Sequence, residues 1–286
     1  MSGTVFGAEA AHALAGAYPE QPASLRHALG DHPLLRLDAI ASLAARMRPA
    51  DVQCCRGDVD VAVGRGGAPE AGLSPHEAIA SIDRCGAWMV LKYVEQDPDY
   101  RRLLDALLAE LGPAVRPATG PMLKREAFIF LSSPEAVTPF HFDPEHNILL
   151  QIAGSKVIHI YPAGDETLVT GRVHEDFHHD GRNGLDWRAE FAARGRAFAL
   201  AAGDAVYVPV KAPHWIRNGD APSVSLSITW RSGWSMREGY AHGLNRLLRR
   251  AGLNPRPPAR FPRDNHLKAL ALRTIEKGRR LFARPH

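Results

Sequence analysis

Thr138-Pro-Phe-His-Phe-Asp-Pro-Glu-His-Asn147 is the stretch on which the reading of this chain turns. His141 and Asp143 are two residues apart, and on a strand alternate residues share a face, so an imidazole and a carboxylate point the same way. A metal gripped from that side needs a third ligand. The best candidate is His214, in Gly203-Asp-Ala-Val-Tyr-Val-Pro-Val-Lys-Ala-Pro-His-Trp215, where a Gly-Asp turn feeds a strand that ends at a Pro-His pair. Two imidazoles and one carboxylate on one side of a metal form the facial triad of non-heme Fe(II) oxygenases, which leaves positions open for O2 and a co-substrate. By itself H-x-D is a short pattern. Alone it reads equally well as a surface pair plus a histidine at the rim of the core.

The surroundings of that stretch are short strands. Ala127–Leu131, Lys156–Tyr161, Ala197–Leu200, Ala205–Val208 and Val224–Trp230 are each bounded by Gly, Pro, Asp or Asn. The last alternates strictly, placing Val224, Leu226, Ile228 and Trp230 on one face. Such a series predicts a sandwich or jelly-roll barrel. Upstream, residues 1–120 read as mostly helical. Leu37–Met47 has a helical period, Ser74-Pro75 with Glu77 opens a helix to about Ile82, and Tyr100–Leu111 forms another, ended by Gly112-Pro113. Trp88–Val94 reads as a strand and Gly57–Gly72 as a surface loop. Downstream, 237–251 and 264–282 read as two helices split by the Pro-rich Asn254–Pro262.

Further residues in the same segment carry a family resemblance. Asn147 follows Asp143 by four positions, Gly154-Ser-Lys156 steps into the next strand, and Thr138 precedes His141 by three. With His214 arriving after a Gly-Asp strand, the pattern from about Ala127 to Trp230 resembles the JmjC and cupin-like Fe(II)/2-oxoglutarate-dependent oxygenases, particularly the small asparaginyl-hydroxylase-like members. The resemblance implies a mainly β, double-stranded β-helix (jelly-roll or cupin) core over 121–236. A helical N-terminal region, 1–120, would pack on it, and two basic C-terminal helices, 237–286, would follow. It also implies that His141, Asp143 and His214 hold Fe(II), and that Lys156 pairs with the distal carboxylate of 2-oxoglutarate, with Thr138 assisting and Asn147 nearby. The physics agrees, because a dianionic co-substrate in a mostly apolar barrel needs a fixed cation. Without the triad, Lys156 would read as an exposed hairpin lysine. The chain departs from the family at its last strand. An amide side chain often stands there, near the tryptophan matched by Trp230; here Ser225, Ser227 and Thr229 occupy the strand, and the choice among them stays open.

Composition bounds the rest. The 286 residues are 45% hydrophobic and 23% charged, enough for a full core and unlike a disordered chain. The formal charge of +4 invites a nucleic-acid reading, but it is unevenly placed: residues 231–286 carry +11 and the remainder −7. Nucleic acid is therefore not expected at the active site. The C-terminal basic helices carry Leu244, Leu247, Leu248 and Leu267, Leu270, Leu272, so they read as amphipathic, with Arg246, Arg249, Arg250, Arg279 and Arg280 on solvated faces and a homodimer interface implied by the family. Three cysteines make no disulfide framework, no apolar run suits a membrane, and the first 25 residues hold no Lys or Arg. A cytoplasmic protein is expected.

Some motifs compete with this reading. His174-Glu-Asp-Phe-His178 matches the zinc-peptidase pattern H-E-x-x-H, but it runs into His179-Asp-Gly-Arg-Asn-Gly184, which reads as turn rather than helix, and the third-ligand position falls on Gly184. The segment is expected to be a polar loop over the barrel mouth. His159 should face away from Lys156, and Trp88 and Trp230 should fill core, while Trp215 should wall the site. A non-oxygenase cupin (isomerase, lyase or sensor) would keep the triad yet not need Lys156, and a silent binding module would need neither. The substrate, a protein side chain or a small molecule, is not readable.

Overall fold

The computed structural model describes residues 4–64 and 66–282, without the side chains of 280–282, so the Arg280 side chain lies outside the described residues. In chain order the elements are α1 (Ala8–Ala17), β1 (Ala23–Arg26), α2 (Leu37–Arg46), β2 (Val52–Arg56), α3 (Pro75–Ala80), β3 (Ala87–Lys92), α4 (Pro98–Thr119), β4 (Leu123–Ser132), β5 (Val137–His141), β6 (His146–Ala153), β7 (Ser155–Ile160), α5 (Gly171–Asp180), β8 (Arg196–Ala201), β9 (Asp204–Val208), β10 (His214–Asn218), β11 (Ser223–Arg231), α6 (Gly233–Arg250) and α7 (His266–Phe282). Two antiparallel sheets face each other: β1-β9-β6-β11-β4-β3-β2 and β5-β10-β7-β8. Strands β4 to β11 split evenly between them, in the order β9-β6-β11-β4 against β5-β10-β7-β8. That is the expected jelly roll.

Side-chain alternation explains why these strands make two layers. Leu149, Val206 and Val208 from the larger sheet meet Ile158, Ile160, Phe198 and Leu200 from the smaller. The opposite face of the larger sheet, with Ile148, Leu150, Leu226, Ile228 and Trp230, packs on α1, α2 and α4 through Leu14, Ile40, Leu104 and Leu107. Strand β11 is therefore buried on both faces, its apolar residues outward to the helices and Ser225, Ser227 and Thr229 inward. Gly154 makes the turn from β6 to β7 at φ 70, and a Cβ there would fall on the carbonyl oxygen of Pro222. Only glycine meets both demands. The turn thereby fixes the register that carries Lys156.

Four readings change on the structure. The N-terminal stretch expected to be mostly helical supplies β1 and β2 besides the expected strand at β3, and the three extend the larger sheet at both edges. A four-residue strand such as β1 is stabilised by pairing with β9, Ala23 against Tyr207, and carries little local signature. Second, α4 does not stop at Gly112-Pro113 but continues to Thr119. Pro113 and Pro117 lie one turn apart on its exposed side, where the carbonyls they leave unpaired can be hydrated, while Leu111 and Val115 stay buried. Third, the H-E-x-x-H segment is helical: it forms α5, and Gly181, at φ 75, is its left-handed C-cap rather than part of a preceding turn. Fourth, the leucines of α7 do not form one stripe. Leu272 is buried where Gly243 of α6 makes room for it, whereas Leu267 and Leu270 are 84% and 64% exposed. No helix among the described residues is long and apolar enough to cross a membrane.

Candidate metal centre and adjoining cavity

His141 ends β5, Asp143 follows two residues later, and His214 begins β10; His141 and His214 are direct partners across these neighbouring strands. Their rings stand 4.2 Å apart between centroids. Asp143 reaches both, Oδ2 lying 3.6 Å from His214 Nε2 and Oδ1 4.0 Å from His141 Nε2. One ligand atom from each of the three lies within 4.8 Å of the others, and among the described residues no other group of histidine, cysteine or carboxylate side chains does this. The rings are also oriented. His141 Nδ1 donates to the Pro139 carbonyl at 2.7 Å and His214 Nδ1 to that of Ala212 at 3.0 Å. A carbonyl can only accept, so the proton sits on Nδ1 and the Nε2 lone pair faces the centre. Burial and the neighbouring His141 bring the pKa of His214 down to about 4, against the opposing pull of Asp143, so this ring stays neutral and ready to ligate. The donor set fits a divalent transition metal.

A cavity of about 370 Å³ opens beside this cluster. Thr138, His141, Asp143 and Asn147 line it, as do Ser227 and Thr229 of β11. Ser225 does not; it donates to Gln151 Oε1 at 2.8 Å, while Ser227 donates to Asn147 Oδ1 at 2.8 Å. The open choice on the last strand thus narrows to Ser227 and Thr229. The remaining wall was not foreseen in the sequence. Trp88, Val90, Phe128 and Phe130 come from β3 and β4, Gly66 to Ala68 from the glycine-rich loop, and Glu145 from just beyond Asp143. Trp88, expected to fill core, is half-buried on this wall with its Nε1 buried and unpartnered among the described residues. Glu145 meets Arg231 at 2.5 Å; burial still pushes its pKa up to about 7, against the arginine and with help from the nearby Asp143. The available signal was Ala127-Phe-Ile-Phe-Leu131, apolar on both faces, which implies something to cover on each side.

Lys156 and His214 do not line the cavity wall; both are buried in the sandwich. Lys156 is 4% exposed, on the same face of β7 as Ile158 and Ile160, and pairs in register with Asn218 of β10 and Leu200 of β8. It makes no hydrogen bond or ion pair among the described residues, and burial brings its pKa down to about 7. Asn218 donates to the Ala136 carbonyl and leaves its buried Oδ1 unpartnered. His159 does point away from Lys156, and it stacks on Trp215 at 4.1 Å with ring planes 3° apart. His146 is fully buried among Tyr18, Tyr207 and Trp230, and burial holds it neutral with a pKa of about 3.

The segment after α5 closes one side of the centre. Asn183 Nδ2 donates to Asp143 Oδ1 at 3.3 Å, and Gly184 forms a bridge to His141. Asn183 and Gly184 also line the cavity. His174 and His178 turn instead toward His242 of α6, 5.1 and 5.8 Å between ring centroids, and join no convergent metal-ligand group.

Jumonji C domain-containing protein 5 of Drosophila melanogaster is 34% identical over 104 residues, 33% of this chain and 25% of that protein. Lysine-specific demethylase JMJ30 of Arabidopsis thaliana is 30% identical over 102 residues, 33% of this chain and 23% of that protein. The chain thus spans about a quarter of the length of these curated relatives. The crystal structure of Escherichia coli YcfD covers 100% of this chain and 70% of its own, at 15% identity and a TM-score of 0.53, and so shares the fold. Residues 122–237 match the family model described as JmjC domain.

Proposed function

We propose that this chain is an Fe(II)- and 2-oxoglutarate-dependent dioxygenase whose catalytic core is 121–236, with 1–120 packed on it and 237–286 a basic C-terminal segment. One observation carries the reading: the sandwich that brings His141, Asp143 and His214 together also buries a lysine that has no anionic partner among the described residues. A lone buried ammonium is costly unless a carboxylate arrives to pair with it. The match to the JmjC domain supports the same assignment. Bound iron would supply the redox chemistry, in which 2-oxoglutarate and O2 become succinate and CO2 as a substrate C–H becomes C–OH.

The protein's own groups do the rest. His141, Asp143 and His214 hold the ion from one side, with both rings fixed by their Nδ1 tethers. Lys156 pairs with the distal carboxylate of 2-oxoglutarate, with Thr138 and Asn147 contributing polar groups. Trp88, Phe128, Phe130 and Phe140 give an apolar wall that excludes water, and the cavity admits a protein side chain or a small molecule. The name of the Arabidopsis relative assigns lysine demethylation to that protein; hydroxylation and N-demethylation use the same iron chemistry. Purified protein should release succinate from 2-oxoglutarate only with added Fe(II), and His141→Ala and Lys156→Ala should each abolish that release. Turnover at the wild-type rate in both variants would sink the assignment.

Two features concern setting rather than chemistry. Cys54, Cys55 and Cys85 are free thiols, which supports a reducing, cytoplasmic compartment. The exposed Leu267, Leu270 and Ile275 of α7 support a homodimer through the C-terminal helices, with the basic segment facing the acidic body of a second copy. Sedimentation should give a dimer for the wild type and a monomer for Leu267→Glu/Leu270→Glu. A wild type that stays monomeric at high concentration removes the interface.

A further inference from the structure

The turn between β9 and β10, Pro209 to Pro213, delivers His214 to the centre, and Lys211 stands in its middle. Lys211 is 2% exposed and has the left-handed backbone, φ 57, that a residue other than glycine rarely adopts. Its backbone N–H donates to the Asp143 carbonyl at 2.8 Å. The next residue, Ala212, supplies the carbonyl that takes His214 Nδ1–H. Two consecutive residues therefore hold both Asp143 and His214.

The Lys211 side chain leaves the centre altogether. Its Nζ donates to Glu238 Oε2 on α6 at 2.6 Å, both side chains being almost wholly buried. The other carboxylate oxygen of Glu238 accepts from His242 Nε2 at 2.9 Å and lies 3.9 Å from Arg260 Nη1. A buried ion pair with a strained backbone at one end gives little net stability compared with an apolar pair of the same volume. What it supplies is direction: a short charged bond fixes where the turn stands relative to α6 more closely than apolar contact would.

We propose that Lys211 and Glu238 are positioning residues, through which helix α6 of the C-terminal segment sets the spacing of Asp143 and His214. Neither touches the metal; they act through the Asp143 backbone and the orientation of the His214 ring. The proposal rests on reading His141, Asp143 and His214 as metal ligands. It makes α6 part of the metal site rather than an appendage for assembly alone, and a chain cut after Arg237 loses Glu238 with it.

The test is titration of metal-free full-length protein with Co(II), read by its visible absorption, for wild type, Lys211→Met, Glu238→Gln, Leu244→Ala and Asp143→Ala. Lys211→Met is the cleaner variant, because Glu238 keeps His242 and Arg260; Glu238→Gln serves if that protein fails to fold. Either change should weaken Co(II) binding about 10- to 100-fold, as alterations behind a ligand shell do, and should alter the absorption band. Leu244→Ala, a buried cavity on the same helix away from this network, controls for general loosening and should keep wild-type affinity and spectrum. Affinities within about twofold of wild type with an unchanged band, for both Lys211→Met and Glu238→Gln, overturn the proposal. If Asp143→Ala binds Co(II) as well as wild type, it is the ligand assignment that fails.

Discussion

Asp143→Ala protein folds but takes up no divalent metal at the site and makes no succinate. The expectation follows from what Asp143 alone provides. It is the single carboxylate of the cluster, lying between two imidazoles whose Nε2 atoms face inward. Without it a divalent cation meets two neutral ligands and no compensating charge, so the loss should exceed the 10- to 100-fold typical of changes behind the first ligands. Folding should hardly notice. The side chain is part-exposed and its one hydrogen bond among the described residues is a long one, 3.3 Å, from Asn183, worth no more than about 1.5 kcal/mol, the low end for a bond to a charged group. Thermal unfolding with and without Co(II) separates the two effects. Metal should raise the wild-type midpoint, because only the folded state has the ligands assembled, and should leave the variant where it was. A variant stabilised by metal as much as wild type would place the ion elsewhere.

The part of this site that the sequence made legible is the part built by local rules. His141 and Asp143 announce themselves by a spacing of two, Gly154 by the turn it must make before Lys156, and β11 by alternation. His214 is remote in sequence, yet its Gly-Asp strand and Pro-His ending mark it. Contacts between distant segments carry no such mark. Nothing near Lys211 or Glu238 says that they pair across 27 residues, and Trp88 reads as core until β3 is seen to extend the sheet past the metal centre. The helical errors have a similar origin. Gly112-Pro113 and Asp180-Gly181 are local stop signals, and tertiary burial of Leu111 and Val115 overrode the first, while the second marked the end of a helix read as a loop.

Lys156→Met should change stability and co-substrate binding in opposite directions. The unpaired ammonium has its pKa brought by burial from 10.5 to about 7, and no ion pair among the described residues offsets this. Between those two values the unfolded chain binds the proton that the folded chain does not, so wild-type stability rises with pH across that window and is lost again as pH falls toward 7. The whole effect is on the order of 5 kcal/mol. Methionine, of similar length and uncharged, removes it: near pH 7 the variant should unfold at higher temperature than wild type, and its advantage should shrink toward pH 10. Binding runs the other way. A carboxylate entering beside Lys156 restores the charged form, so 2-oxoglutarate should bind the metal-loaded wild type at pH 8 with uptake of about one proton. Calorimetry in two buffers of different ionisation enthalpy reads this directly. Lys156→Met should bind with no uptake and between about 10- and 100-fold more weakly, the worth of a charge-assisted hydrogen bond. Equal affinity in the variant, or no proton taken up by wild type, would mean that the co-substrate's distal carboxylate does not meet Lys156.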